Sequence, residues 1–316
     1  MDAKFKTEIY DRFLGIDNVN DSTKIITRDT IKRVSIASVR LLQAENVDIH
    51  ADYHLSRCTG YDLFKSGKYT SIWSNDEICL AINLGDLVRI YPSSDTEILV
   101  QGVGTDPMSY VQVKSGEDII IYYTNGKVIG KIQDGVASSL STPTKEFKEK
   151  LPPGNIIRFF QGSLHIINGN TQYISDVLNR DVYDSRWGWK LYESSVTMFE
   201  PVREGIYVAD AYDVYFMKRT GSTDQAAAQP IFKLDKIYNS PVIPGTPCKL
   251  FNVTSPEGKK HEEAIIWISG NTLCLGGDDG SIEEIRSDIY AVPSSVSGCS
   301  MFRTEGDLNQ YIAIVK

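Results

Sequence analysis

Short runs of alternating apolar and polar residues, separated by turns that contain glycine and asparagine, recur along most of this chain. Gly162–Ser175 shows the pattern: an apolar strand, an Asn-Gly-Asn turn and a second alternating strand. Alternation on both sides of such a turn predicts an antiparallel β-hairpin. Similar segments begin at Gly116, Glu204, Glu262 and Asp76, so the sequence indicates a repeat array.

The predicted strands group into sets of four. Their first strands begin near residues 69, 110, 156, 196, 248 and 300, and a spacing of about 40 to 52 residues is typical of propeller blades. The sixth set has only two strands, which the strands predicted at Asp48–Ala51 and His54–Cys58 would complete. We therefore predict an all-β fold, a β-propeller of six four-stranded blades with the last blade closed by N- and C-terminal strands. Two β-sandwiches are the alternative, but they do not explain a repeat of blade length.

Residues 1–45 differ from the rest because they contain few glycine turns and no repeat hairpin. Within them, Thr30–Ala44 is compatible with a short helix or with an extended strand. The segment is too short to bury a core of its own, so we predict an N-terminal docking arm at 1–45 and the propeller at 46–316. One helical turn is also predicted at Lys145–Lys150, ended by Pro152 and Pro153.

The composition restricts the classes of function. The net charge is −8 and the isoelectric point is about 5.1, whereas a protein that grips nucleic acid needs a basic face. The basic groups Lys32–Arg33 and Lys259–His261 are interpreted as solvated loop charges. Five cysteines without paired spacing predict a reduced protein that lacks a disulfide framework. No secretory signal and no membrane-spanning segment are predicted.

Motifs of known chemistry are missing from the sequence. It contains no phosphate-binding loop, HExxH zinc motif, nucleophile elbow or repeated sialidase box. His50 and His54 are interpreted as a loop pair rather than a metal site. The GGDDG segment at Gly276–Gly280 has oxygen ligands that suit calcium, but a hairpin turn explains it more simply. The sequence therefore provides no candidate catalytic residues, no cofactor site and no metal site.

The segment Asp181–Trp189, DVYDSRWGW, is the most unusual loop of the chain. Exposed aromatic side chains anchor many interfaces, so this loop is a candidate platform for a partner or a glycan. The candidate contact residues are Tyr183, Arg186, Trp187 and Trp189. The alternative is that the two tryptophans cap the third blade, and the sequence favours neither interpretation.

Three segments near the N-terminus resemble the opening of virion β-propeller proteins of tailed bacteriophages: FLGIDN at 13–18, LLQAENVDI at 41–49 and LSRCTGY at 55–61. Later segments resemble blades of the same family: YYTNGKVIGKI, LPPGNIIRFFQGSLHIINGNTQYIS and EPVREGIYVADAYDVYFMK. The similarity covers most of residues 11–218 in order. Between Asn20 and Leu41 the chain departs from the family, because a segment with lysine and arginine replaces one with proline and glycine.

The resemblance implies a non-enzymatic structural component of a phage virion, part of a ring in the tail or head-to-tail region, as a nozzle, hub or collar. The implied partners are further copies of the chain, other tail or connector proteins and tail fibres, with assembly in the host cytoplasm. DNA would pass without sequence-specific binding, since an acidic wall repels phosphate. The altered arm would dock on its neighbour through Phe13, Arg28, Lys32 and Arg33. The alternatives are a receptor- or glycan-binding module of a tail fibre or tip, and a propeller hydrolase.

Overall fold

The computed structural model of the chain describes residues 63–75, 77–220, 231–255, 258–285, 291–305 and 308–316, together with the backbone of five strands between residues 12 and 57. Every helix or strand in these residues is a strand, so the all-β prediction is confirmed. No helix able to cross a membrane occurs in this part of the chain. Contacts divide the chain into two compact units, Met1–Tyr61 with Ile243–Lys316 and Asp62–Val242. The arm boundary at residue 45 stays a prediction.

The N-terminal strands form two small sheets. In chain order they are β1 (Arg12–Ile16), β2 (Ile26–Ile31), β3 (Val34–Leu41), β4 (Val47–Ile49) and β5 (Leu55–Arg57). The first three form a sheet in the order β1-β3-β2, with β1 and β3 parallel, and β4 pairs with β5. The extended alternative for Thr30–Ala44 is therefore confirmed where β2 and β3 lie, and the helix alternative is wrong.

Five four-stranded antiparallel sheets follow. The remaining strands, in chain order, are β6 (Tyr69–Ser74), β7 (Cys79–Asn83), β8 (Asp86–Ile90), β9 (Thr96–Val100), β10 (Ser109–Ser115), β11 (Asp118–Thr124), β12 (Ile129–Gln133), β13 (Val136–Ser138), β14 (Lys148–Lys150), β15 (Ile156–Phe160), β16 (Ser163–Asn168), β17 (Thr171–Ile174), β18 (Val182–Asp184), β19 (Trp189–Leu191), β20 (Met198–Val202), β21 (Gly205–Ala209), β22 (Val214–Thr220), β23 (Ile231–Tyr238), β24 (Cys248–Thr254), β25 (Lys260–Ser269), β26 (Thr272–Gly276), β27 (Ile282–Ile285), β28 (Gly298–Glu305) and β29 (Leu308–Val315). The first to fifth sheets are β6–β9, β10–β13, β15-β16-β17-β19, β20–β23 and β24–β27. Each sheet keeps its strands in chain order, which is the topology of a propeller blade.

Tight turns with positive φ set the register of the hairpins. In the hairpin predicted at Gly162–Ser175, Asn168 pairs with Thr171 and leaves Gly169–Asn170 as the turn. Gly169 has a φ of 60°, as a type II′ turn requires, and the twist of this turn matches that of the flanking strands. The preceding turn, Gln161–Gly162, has φ values of 46° and 91°, which indicate a type I′ turn.

Within Asp62–Val242, the first four sheets pack side by side, each against the next. One apolar cluster fills each junction: Leu80 and Tyr123 lie between the first and second sheets, Tyr122 and Leu164 between the second and third, and Ile167 and Phe199 between the third and fourth. Neighbouring residues such as Tyr122 and Tyr123 serve opposite faces because strand side chains alternate. The first strands are neighbours, since β10 contacts β15 and β15 contacts β20.

The other unit, Met1–Tyr61 with Ile243–Lys316, has its own core. Leu250 and Ile266 of the fifth sheet pack near Phe302 and Tyr311 of the β28–β29 pair. The Tyr311 hydroxyl donates to the Thr246 carbonyl at 2.7 Å. The β4–β5 and β28–β29 pairs are separate two-stranded sheets, so a sixth blade closed by both chain ends stays a prediction.

The helical turn predicted at Lys145–Lys150 is wrong in its second half. Residues Lys148–Lys150 are strand β14, which pairs with β18. The Lys148 ammonium lies 2.9 Å from the Asp176 carboxylate and 3.2 Å from that of Asp184. A single helical turn is unstable in isolation, and these contacts with a later segment favour the strand instead.

Candidate functional site

Half-exposed aromatic side chains lie on the segments that flank β14 and β18 in the chain. Phe147, Trp187 and Trp189 are exposed together with Arg186, and we call these four residues the aromatic surface. Trp187 is 45% and Trp189 is 48% exposed. The β14–β18 pair supports the surface from below, with Lys148 opposite Asp184 in the register.

Arg186 joins two rings of the aromatic surface, Trp187 and Phe147. Its guanidinium lies 3.8 Å from the centre of the Trp187 ring and 4.3 Å from that of Phe147. Its Nε and Nη2 donate to the two oxygens of Asp184, each at 2.9 Å. The paired geometry fixes the guanidinium plane, so the cation–π contacts on both rings are fixed as well.

Asp184 is the buried anchor of this loop. Its carboxylate also lies 3.2 Å from the Lys148 ammonium. Hydrogen bonds from Arg186, with a smaller contribution from Lys148, hold the pKa of Asp184 far below its usual range. The Asp184 carbonyl accepts from the Gly188 amide at 2.6 Å, and the Trp189 indole donates to the Ser185 carbonyl at 3.1 Å. The surface is therefore a preorganised one.

Tyr183, the fourth predicted contact residue, lies in the core instead. Its hydroxyl donates to Glu149 at 2.9 Å, and its ring meets that of Tyr173 edge to face at 5.2 Å. Burial, with the Glu149 contact, raises the pKa of Tyr183 to about 12. The reason is that all three residues of β18 are buried, with Tyr183 paired to Glu149 of β14. Trp187 and Trp189 show the exposure that the platform interpretation needs.

The predicted docking residues fall on the N-terminal strands or outside the described residues. Phe13 lies on β1 opposite Val39, and Arg28 lies on β2 opposite Ala37. Strands β1 and β2 both pair with β3. Phe13 and Arg28 therefore lie on the two strands that flank β3. Lys32 and Arg33 lie outside the described residues.

A polar bridge that sequence reasoning missed joins three successive first strands. Arg158 on β15 donates from Nε to Oε2 of Glu200 on β20 at 2.8 Å, and from Nη2 to Oε1. Its Nη1 donates to the Ser109 hydroxyl on β10 at 2.9 Å. Burial alone would lower the pKa of Arg158, but the Glu200 carboxylate raises it. The feature of the sequence that could have indicated this bridge is that its three residues lie on the first strands of successive repeats.

A second bridge joins the second sheet to the connection between β17 and β18. Asp181 is buried and accepts from the Lys131 ammonium at 2.7 Å and from the Ser141 hydroxyl at 2.5 Å. Burial alone would raise the pKa of Asp181, but the hydrogen bonds from Lys131 and Ser141 lower it below its ordinary value. This carboxylate therefore stays charged and occupied.

A polar cleft of about 220 Å³ lies between the first and second sheets. Its lining combines Arg89 with the carboxylates of Glu77, Glu117, Asp118 and Asp134. All four acidic residues are exposed, so solvent and salt screen their charges. The cleft favours a cation only weakly and shows no arrangement for a reaction.

One group among the described residues has the composition of a metal site. Ligand atoms of His261, Asp278 and Asp279 all lie within 4.8 Å of one another. The hairpin turn predicted at GGDDG is confirmed, since the Gly277 amide donates to the Ser281 carbonyl at 2.9 Å. The prediction that Lys259–His261 is a group of solvated charges is wrong for His261, which is buried.

No protein-family model matches the chain, and a search of curated proteins finds no match. Solved structures of similar shape include BBS1N in complex with ARL6DN, with 10% identity, coverage of 95% of this chain and 92% of that one, and a TM-score of 0.49. The extracellular domain of the one-component system BT4673 from B. thetaiotaomicron shares 12% identity over 79% of this chain, with a TM-score of 0.48. Virginiamycin B lyase from Staphylococcus aureus shares 10% identity, with coverage of 77% and 83% and a TM-score of 0.46.

This chain spans only 32% of the length of the BT4673 domain. Similarity at these identities and TM-scores carries no argument about what this chain binds or does. The functional argument therefore depends on the residues of the chain itself.

Proposed function

We propose that the chain is a non-enzymatic structural subunit of a tailed-phage virion: a six-bladed β-propeller, closed by both chain ends, in a ring of the tail or head-to-tail region. The observation that carries the proposal is that the motifs of the phage resemblance coincide with strands. FLGIDN overlaps β1, LLQAENVDI contains β4 and LSRCTGY contains β5. Five sheets of blade topology follow them at repeat spacing.

The buried ion pairs support a structural rather than a catalytic role. Both oxygens of Glu200 accept from Arg158, and Asp181 is occupied by Lys131 and Ser141. A general acid or base needs a carboxyl group that can reach a substrate. Glu200 instead joins two neighbouring sheets, and Asp181 joins the second sheet to the β17–β18 connection, as a rigid ring subunit requires.

The virion role is tested on purified particles. Quantitative mass spectrometry should find the chain at a fixed, multiple copy number relative to the tail proteins. A chain without residues 1–45, which carry β1, β2 and β3, should fail to enter particles, because the predicted docking arm is missing. Infectious particles that lack the chain would refute the proposal.

The second candidate is a receptor- or glycan-binding module, and the aromatic surface favours it. Fixed, half-exposed indole rings suit the apolar face of a sugar, and large rigid aromatic residues dominate many interfaces. Binding of the full chain to host-surface polysaccharide should be lost in Trp187→Ala. Tyr212, 71% exposed and outside the aromatic surface, gives the matched control Tyr212→Ala, which should bind as the wild type does. Equal binding by both variants contradicts this candidate.

A further inference from the structure

We propose that His261, Asp278 and Asp279 form a site for one divalent cation that accepts mixed nitrogen and oxygen ligands, of the Mn²⁺ or Zn²⁺ type. His261 lies at the start of β25, and the two aspartates lie in the turn between β26 and β27. Their ligand atoms lie within 4.8 Å of one another, which is close to the span of opposite ligands around one such ion. The site is independent of the virion role.

The histidine is built into this position. Its side chain is only 1% exposed, and its Nδ1 lies 3.2 Å from Oδ1 of Asp278. A Cβ atom at position 277 would lie 2.6 Å from Nδ1. Only the missing side chain of Gly277 therefore lets the imidazole reach the turn.

One oxygen of each carboxylate accepts from a backbone or hydroxyl donor, and the other faces a side chain, His261 for Asp278 and Lys259 for Asp279. Oδ2 of Asp278 accepts from the Glu262 amide at 3.2 Å, and its Oδ1 faces His261. Oδ1 of Asp279 accepts from the amide and the hydroxyl of Ser281, at 3.1 and 2.6 Å. Such backbone and hydroxyl donors orient ligating carboxylates and preserve their geometry.

The site already attracts a positive charge. The Lys259 ammonium lies 2.7 Å from Oδ2 of Asp279, so an exposed lysine supplies an internal counter-cation. Oε2 of Glu283 is buried and has no hydrogen-bond partner among the described residues. Negative charge from Asp278, Asp279 and Glu283 therefore acts on this one ammonium. A divalent cation that displaces Lys259 would compensate this excess of negative charge.

The ligand types select the ion. Imidazole suits transition metals and carboxylate suits harder cations, so Mn²⁺ and Zn²⁺ match both. Calcium takes oxygen ligands alone and is expected to bind more weakly. Mn²⁺ is the better probe, because the thiols of the free cysteines, among them Cys299, compete for Zn²⁺.

The test titrates Mn²⁺ into the full chain by calorimetry, with electron paramagnetic resonance to count bound ions. One ion should bind per chain, more tightly than Ca²⁺. Loss of a ligand in Asp279→Asn or His261→Asn should weaken Mn²⁺ binding about tenfold or more. Asp279 is exposed, so its variant keeps the test valid if the buried His261 variant fails to fold.

The lysine supplies the discriminating control. Lys259→Met should tighten Mn²⁺ binding about two- to fivefold, the range that one exposed ion pair is worth. Lys260→Met removes the same charge from the neighbouring exposed position, and Lys260 has no ion pair with Asp279 among the described contacts. Lys260→Met should therefore change the Mn²⁺ affinity less than Lys259→Met does. The absence of a stoichiometric ion, or equal effects of the two lysine variants, would overturn the proposal.

Discussion

Replacement of His165 by glutamine should remove a large part of the acid sensitivity of the protein. His165 is buried in β16, with ring centres 5.6 Å from Phe199, 6.0 Å from Phe232 and 6.3 Å from Phe160. Its Nδ1 accepts from the amide of Gln172 at 2.7 Å. The imidazole therefore has one polar neighbour on this side and apolar rings around it, so a positive charge would be costly.

The magnitude follows from the pKa of this histidine. Burial lowers the pKa of His165 from 6.5 to about 4, against a smaller opposite effect of the Phe160 carbonyl. The unfolded chain takes up this proton near pH 6.5, whereas the folded chain stays neutral to about pH 4. The neutral His165 therefore contributes its full stabilisation of the folded state above pH 6.5, and this stabilisation is lost as the pH falls from 6.5 to 4. The pKa difference corresponds to about 3 kcal/mol.

Urea unfolding, followed by tryptophan fluorescence, measures this effect at pH 7, 6, 5 and 4.5. The free energy of unfolding of the wild type should fall more steeply than that of His165→Gln, with a difference that grows by up to about 3 kcal/mol across the window. The carboxylates titrate in both proteins and cancel in the comparison. Parallel pH profiles, or a nuclear magnetic resonance titration of His165 near pH 6.5, would refute the reasoning.

Two further substitutions test the packing of the sheets. Glu200→Ala should destabilise the protein by about 3–5 kcal/mol because it leaves the Arg158 charge without its partner. The double change to methionine at positions 158 and 200 should cost much less in the same urea assay, and additive losses would contradict a coupled pair. Gly205→Ala should cost about 1–3 kcal/mol, since its Cβ would lie 2.5 Å from the Phe216 ring and 2.7 Å from the Met217 carbonyl. A melting temperature equal to that of the wild type would contradict this clash.

The hairpins were predictable because their determinants are local. Alternation around the Asn-Gly-Asn turn predicted a hairpin at Gly162–Ser175, and the structure has β16 and β17 there. Strand β14 was not predictable in this way. Its register depends on β18, in which Lys148 pairs with Asp184, and no local pattern at 145–150 reports that partner.

The candidate site was predictable only in part, because strand pairing as well as residue type decides which side chains are exposed. Trp187 and Trp189 stood out by residue type, and both are half-exposed. Tyr183 looked equivalent in the sequence, but pairing of β18 with β14 places it against Glu149 and Tyr173. The His261 group was hidden further, because strand pairing brings a histidine to a turn 17 residues later.

The bridge between Ser109, Arg158 and Glu200 shows what a sequence repeat predicts about contacts between sheets. Arg158 lies 49 residues after Ser109 and 42 residues before Glu200, separations that match the repeat length. Arg158 and Glu200 are each the third residue of their strand, so equivalent positions on β15 and β20 meet, whereas Ser109 is the first residue of β10. The repeat therefore indicates which strands meet, but it does not name the chemistry of the contact. Arg158 donates to a hydroxyl group on one side and to a carboxylate on the other. Its donors are therefore occupied, and the contact links the sheets rather than providing a reactive group.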